Sequence, residues 1–106
     1  MEQLKNSGAV GYKSMPAGKI HYSRGNLLFW YRDYAAAIPE LRRVIDGGTE
    51  AGLVTFGNAW LRLGQCLDMQ RHRMDARAAY HKAIEAAPDS DAAREARRYL
   101  NSAYRR

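Results

Sequence analysis

The sequence predicts an all-α fold, and three observations carry that expectation. From about Ala17 onward, apolar residues recur at the spacing of one helix face. No stretch beyond that point alternates with a period of two for long enough to build a strand, which removes the sheet-based folds. Residues that start or stop helices, among them Asp33, Gly47-Gly48 and Pro88, divide the apolar pattern into five segments.

Residues 1–16 are polar and glycine-bearing without a sustained period, so a mobile lead-in that carries no chemistry is expected there, followed by one helical domain over residues 17–106. The first helix carries Ile20, Leu27, Leu28 and Tyr31. Past Arg32-Asp33 a second carries Ala37, Ile38, Leu41, Val44 and Ile45, giving two helices joined by a tight turn. Asp33 is placed to cap the second helix by accepting a bond from its free amides, and Gly47-Gly48 supplies the left-handed residue that ends it. Pro39 lies early in that helix, where its missing amide and its ring predict a bend or a late start near Ala35. A third helix is expected after Thr49, running to about Gln70, with Leu53, Phe56, Trp60, Leu63 and Leu67 in one stripe, and it should be longer than its neighbours. The fourth carries Ala76, Ala79, Tyr80, Ala83 and Ile84 and must stop by Pro88. A fifth follows from Ser90 or Asp91.

Composition bounds the function more than it names it. The chain has 106 residues, 46% of them hydrophobic and 26% charged, which fits one globular domain and not a disordered segment. Its net charge of +6 permits nucleic acid, an anionic membrane or an acidic protein as partner without choosing among them. The single cysteine, Cys66, sits among helix formers and reads as a small core residue. Neither a signal-peptide run nor a membrane-crossing segment is visible, so a cytoplasmic location is expected. His21, His72 and His81 fall on different helices without metal-ligand spacing and read as surface or groove residues. Glu40, Asp46, Asp68, Asp75 and Glu85 read as solvated helix faces and caps. No nucleophile is paired with a base and no glycine-rich phosphate loop opens a helix, so no enzyme, cofactor or metal centre is expected.

The two helix pairs overlay at one common offset: Gly25 on Gly64, Ala37 on Ala76, Leu41 on Tyr80 and Val44 on Ala83. Trp60, Leu63-Gly64, Leu67, Ala76, Tyr80, Ala83 and Pro88 stand at the spacing of the tetratricopeptide motif, so residues 57–90 closely resemble that repeat. The first unit, from Gly18, is a weaker copy that puts His21 at a large apolar position and Arg24 at the usual leucine. The pairs are set further apart than in the standard repeat, and the additional residues, around 49–56, are expected to lengthen the third helix at its start. The small Gly64 and Ala76 suit a close helix crossing, which Trp60, Leu67 and Tyr80 fill around.

What the resemblance implies is an α-α superhelix of two helix hairpins with a closing fifth helix, whose first helices line a concave groove that in this family commonly holds peptide segments. The groove-facing positions would then be Lys19, Tyr22, Asn26, Phe29 and Trp30 on the first helix, and Asn58, Leu61, Arg62, Gln65 and Met69 on the third. The lysine, asparagine and arginine clamp of relatives that grip chaperone tails is matched only at Asn26, so chaperone-tail binding is not predicted. Phe29-Trp30-Tyr31 spans a wide arc of helix, so at least one of these rings must face a groove, a neighbour or solvent. A protein-interaction module holding a peptide or a partner's helix is therefore the leading expectation. An assembly appendage or fragment of a larger protein comes second, and a basic nucleic-acid-binding domain third. The arginines Arg94, Arg97, Arg98, Arg105 and Arg106 do not read as a single-strand stacking platform, and those of the fifth helix suit a helix dipole with a Glu95–Arg98 pair. In that helix Ala93, Ala96 and Leu100 should lie against the second pair. Nothing comparable closes the amino end, where Ile20, Leu27, Trp30 and Tyr31 predict a homodimer through the first pair.

Overall fold

In the computed structural model, residues 16–106 are described, and they form five helices and no strand. These are α1 (Ala17–Trp30), α2 (Tyr34–Asp46), α3 (Leu53–Met69), α4 (Arg73–Ala86) and α5 (Asp91–Asn101). The lead-in expected over residues 1–16 lies, apart from Pro16, outside the described residues. Helix α1 packs on α2 and α3 on α4, while α3 also meets both helices of the first hairpin. Helix α5 lies against α4 and α3, so it closes the second hairpin on the same side that α1 and α3 share.

The repeat seen in the sequence is a repeat of contacts. At Gly25 an added Cβ would come within 2.9 Å of Leu41, and at Gly64 within 2.5 Å of the Tyr80 ring. Leu41 and Tyr80 are fully buried, as are Ala37 and Ala76. Each hairpin therefore crosses at a glycine, with a fully buried side chain of the second helix pressed on the gap. The turns repeat as well. Arg32 and Arg71 both adopt left-handed backbone, with φ of 65° and 66°. Asp33 N–H reaches Leu28 O at 2.8 Å, and His72 N–H reaches Leu67 O at 2.8 Å. Both are the six-to-one bond that ends a helix through a left-handed residue. Asp33 then caps α2 by accepting from Ala36 N–H at 3.2 Å, as its position predicts. His72, its counterpart before α4, makes no side-chain cap.

Several expectations are met at residue level and others are corrected. Gly48, at φ 63°, is the left-handed residue after α2, and α3 is the longest helix at 17 residues. Helix α2 starts at Tyr34 and carries Pro39 inside it. The lengthening of α3 is smaller than expected: residues 47–52 form turns, and Gly52 at φ 103° sets the helix start at Leu53. Ala51 in that turn is buried and packs on Gly18, so part of the insertion covers the start of α1. In α1 the buried residues are Gly25 and Phe29, while Ile20, Leu27 and Tyr31 face outward. Leu53 likewise stays exposed at the start of the α3 stripe. Cys66 is fully buried, and burial pushes its thiol up to about 12, as fits a core residue. Helix α5 buries Ala92, Ala93 and Ala96 under an exposed row of Arg94, Arg97 and Arg98. Its ion pair joins Asp91 to Arg94 and not Glu95 to Arg98. Ser90 caps it by accepting from Ala93 N–H at 3.1 Å. No helix among the described residues is long and apolar enough to cross a membrane.

Candidate functional site

The face shared by α1, α3 and α5 is where the predicted groove residues fall, and the structure sorts them into three groups. Lys19 and Trp30 are exposed, and Tyr22, Asn26, Asn58, Arg62 and Met69 are half-buried. Phe29, Leu61 and Gln65 are buried, and so are not open to a ligand as expected. The reason is the neighbours of α3: α1 flanks it on one side and α5 on the other, and the chain after α5 returns across them.

That return builds the site. After α5 the backbone becomes extended at Ser102, with φ −148° and ψ 123°. Tyr104 N–H donates to Asp68 Oδ2 at 3.0 Å, at the carboxyl end of α3. The Tyr104 ring lies 5.7 Å from that of Phe29 and 5.2 Å from that of Tyr99, edge-on to the latter. Burial raises the Tyr104 phenol above its ordinary value. Two residues on, the Arg106 guanidinium donates to Phe29 O at 2.6 Å and to Trp30 O at 3.2 Å. Those are carbonyls of the last turn of α1, where a helix carries negative partial charge, and Phe29 O also accepts from Arg32 N–H at 2.9 Å. Arg106 also lies 5.0 Å from the Phe29 ring and 4.9 Å from that of Trp30. Arg62 stands over the same pair at 4.4 and 5.5 Å and donates to Gln65 Oε1 at 2.7 Å.

Asp68 is the residue that sequence reasoning misplaced. It reads as a solvated helix face, yet its side chain is 1% exposed. It accepts from Tyr80 O–H at 2.7 Å, from Arg73 at 3.0 and 3.2 Å, and from Tyr104 N–H. The signal that finds it is the repeat offset, since Asp68 overlays Phe29 as Gly64 overlays Gly25. Burial, and then the bond to Asp68, push the Tyr80 phenol far above its ordinary value, so Tyr80 stays a neutral donor. Arg73 and Arg77 also hold Leu100 O at 3.1 and 2.6 Å, which anchors the end of α5 next to Asp68. Beside this cluster a concavity of about 700 Å³ is lined by Met69, Arg71, Arg73 and residues 103–106.

The groove keeps unmet polar groups. Among the described residues, Asn26 Oδ1 and Arg62 Nε are buried without a hydrogen-bond partner, as is Tyr34 O–H. Such atoms normally find partners, and each of these is enclosed by its neighbours. The histidines divide differently from expectation. His72 and His81 are exposed, but His21 Nδ1 lies 2.7 Å from Glu40 Oε1 across the first hairpin, with both side chains about one-fifth exposed. Glu40 thus bridges two helices and is no solvated acid. His21 stands where the second hairpin has Trp60, so a polar pair replaces a large apolar contact.

Compared with known proteins, the chain matches no family model, no curated protein and no solved structure.

Proposed function

We propose that this chain is a protein-interaction module of tetratricopeptide type, without catalysis of its own, that holds an extended peptide or a partner's helix along the face shared by α1, α3 and α5. The observation that supports this reading is the irregular stretch after α5, extended at Ser102. It is held there by one backbone bond to a helix side chain, one aromatic contact cluster and one guanidinium on helix-end carbonyls. Those are the contacts by which helical surfaces grip peptides. The exposed Trp30 leaves a further contact on the same face.

The test is selection of peptides from a random display library on the immobilised chain, followed by affinity measurements on variants. Trp30→Ala and Arg62→Ala should each weaken binding by about 1–2 kcal/mol, roughly tenfold, with the helical fold retained. Arg97→Ala and Arg98→Ala should leave it unchanged. Sensitivity confined to those two arginines, with steep salt dependence, would assign the binding to a general electrostatic attraction instead. Several arginines already have internal work, since Arg97 donates to Pro88 O at 2.9 Å and Arg94 pairs with Asp91.

A second reading, assembly through α1, has its own observation. Ile20 and Leu27 overlay Ala59 and Cys66 at the repeat offset. Ala59 and Cys66 are fully buried, on the helix of the second hairpin that stacks on the first, whereas Ile20 and Leu27 are 41% and 54% exposed. The first hairpin thus presents a stacking face that a second copy would cover.

A further inference from the structure

Residues 102–106 make no regular secondary structure, and Ser102, Arg105 and Arg106 are exposed. What holds this stretch is discrete. Tyr104 N–H takes a remaining acceptor site on the buried Asp68 carboxylate, the Tyr104 ring enters the space between Phe29 and Tyr99, and Arg106 caps the last turn of α1. Phe29 and Asp68 are corresponding positions of the two hairpins, so the stretch reads the same place on each repeat. Ser102 N–H still donates to Arg98 O of α5 at 3.0 Å, whereas the polar and aromatic contacts of Tyr104 and Arg106 are made to α1, to α3 and to the Tyr99 ring. Arg106 and Arg62 also share the Phe29 and Trp30 rings, so this seat already holds two like charges.

We propose that residues 102–106 are an intramolecular ligand of this groove, displaceable by a partner segment of the same chemistry: an aromatic residue followed two positions on by an arginine. This rests on the groove reading above and adds to it the class of ligand and the chain's own competitor. Joined to α5, the stretch has a high effective concentration at its seat, so a free peptide must compete with it. The intact chain then binds such a peptide weakly, and release of the stretch uncovers the site.

The full chain carrying Tyr104→Ala and Arg106→Ala tests this, with a labelled hexapeptide Asn-Ser-Ala-Tyr-Arg-Arg as probe and fluorescence anisotropy as readout. Affinity for the double variant should exceed that for the unaltered chain by at least about tenfold, as expected when an internal competitor is removed. A probe with alanine at its tyrosine and final arginine should lose that gain, and so should the double variant with Trp30→Ala added. Circular dichroism and a thermal melt accompany each variant, with the single Arg106→Ala as the milder case. Loss of the cooperative helical fold in both would show that the stretch is part of the core and overturn the proposal. A folded double variant that ignores the hexapeptide but binds library peptides lacking the aromatic-x-arginine pattern would overturn this inference and leave the groove reading standing. Failure of every library peptide on that variant would remove both.

Discussion

Gly64 shows how a single missing methyl group decides a helix crossing. A Cβ there would sit 2.5 Å from Tyr80 Cε1, and Tyr80 is held fully buried with its hydroxyl on Asp68, so the ring has little room to yield. Gly57, in the same helix, would place its Cβ 4.0 Å from Ala86, an ordinary contact. Replacing a mid-helix glycine by alanine gains roughly 0.5–1 kcal/mol from backbone entropy. Gly57→Ala should therefore be neutral or stabilising, while Gly64→Ala should lose about 1–3 kcal/mol to overpacking. Urea denaturation of the two variants checks this, and equal small effects would deny the close crossing. Glu40 supplies a residue-scale dependence on pH. Its bond to His21 holds its carboxyl below the ordinary value of 4.5, ahead of the opposing effect of burial. A lowered folded value means that the ionised group stabilises the fold above the ordinary value, and that this contribution disappears as pH falls through 4.5 toward the lowered one. Melting temperatures followed from neutral into acid solution should fall more for the unaltered chain than for Glu40→Gln across that window.

At the scale of the helices, the two hairpins share one turn but not one cap. Asp33 accepts from Ala36 N–H, whereas His72 stands at the same place before α4 without a side-chain cap. His72→Asp should therefore stabilise the chain by about 0.5–2 kcal/mol, the usual worth of such a cap. A melting temperature that fails to rise would show that the amides of α4 are already satisfied. Pro39 lies inside α2 on its exposed side, where it removes a backbone bond. Pro39→Ala should stabilise α2, by less than the roughly 3 kcal/mol of a mid-helix proline because the unfolded chain gains freedom too. A clear loss in chemical denaturation would show that packing has come to depend on the proline. Element boundaries were legible because caps and stops are local: Asp33, Gly48, Ser90 and Pro88 act within a few residues of themselves. The left-handed Arg32 and Arg71 were not legible, since arginine carries no preference for that conformation and only the tertiary setting imposes it.

For the molecule as a whole, the decisive feature is that the two helix hairpins are covered unequally among the described residues. Helix α5 closes one end with Ala92, Ala93 and Ala96 inward. At the other, Ile20, Leu27, Trp30 and Tyr31 are exposed on α1. The dimer proposed for that face should appear in light scattering at micromolar concentration, and Leu27→Asp should shift it to monomer while Arg98→Ala should not. A monomer mass that persists on concentration would exclude it. The proposed groove also depends on the whole molecule, because its residues lie on α1 and α3 while Arg106, which reaches Phe29 O, is 77 residues away from it in sequence.

The sequence by itself determined the helices, their pairing and the glycine crossings, because periodicity, caps and small-residue positions act over one or two helical turns. It also named ten candidate groove positions, all on α1 and α3. Only the tertiary structure decided which of them stay open. Phe29, Leu61 and Gln65 are closed by neighbours distant in sequence, and Asp68 turns from a surface acid into the buried acceptor for Tyr80, Arg73 and Tyr104. Burial depends on what arrives from elsewhere in the chain, and no local pattern around Asp68 announces that residues 102–106 return to meet it.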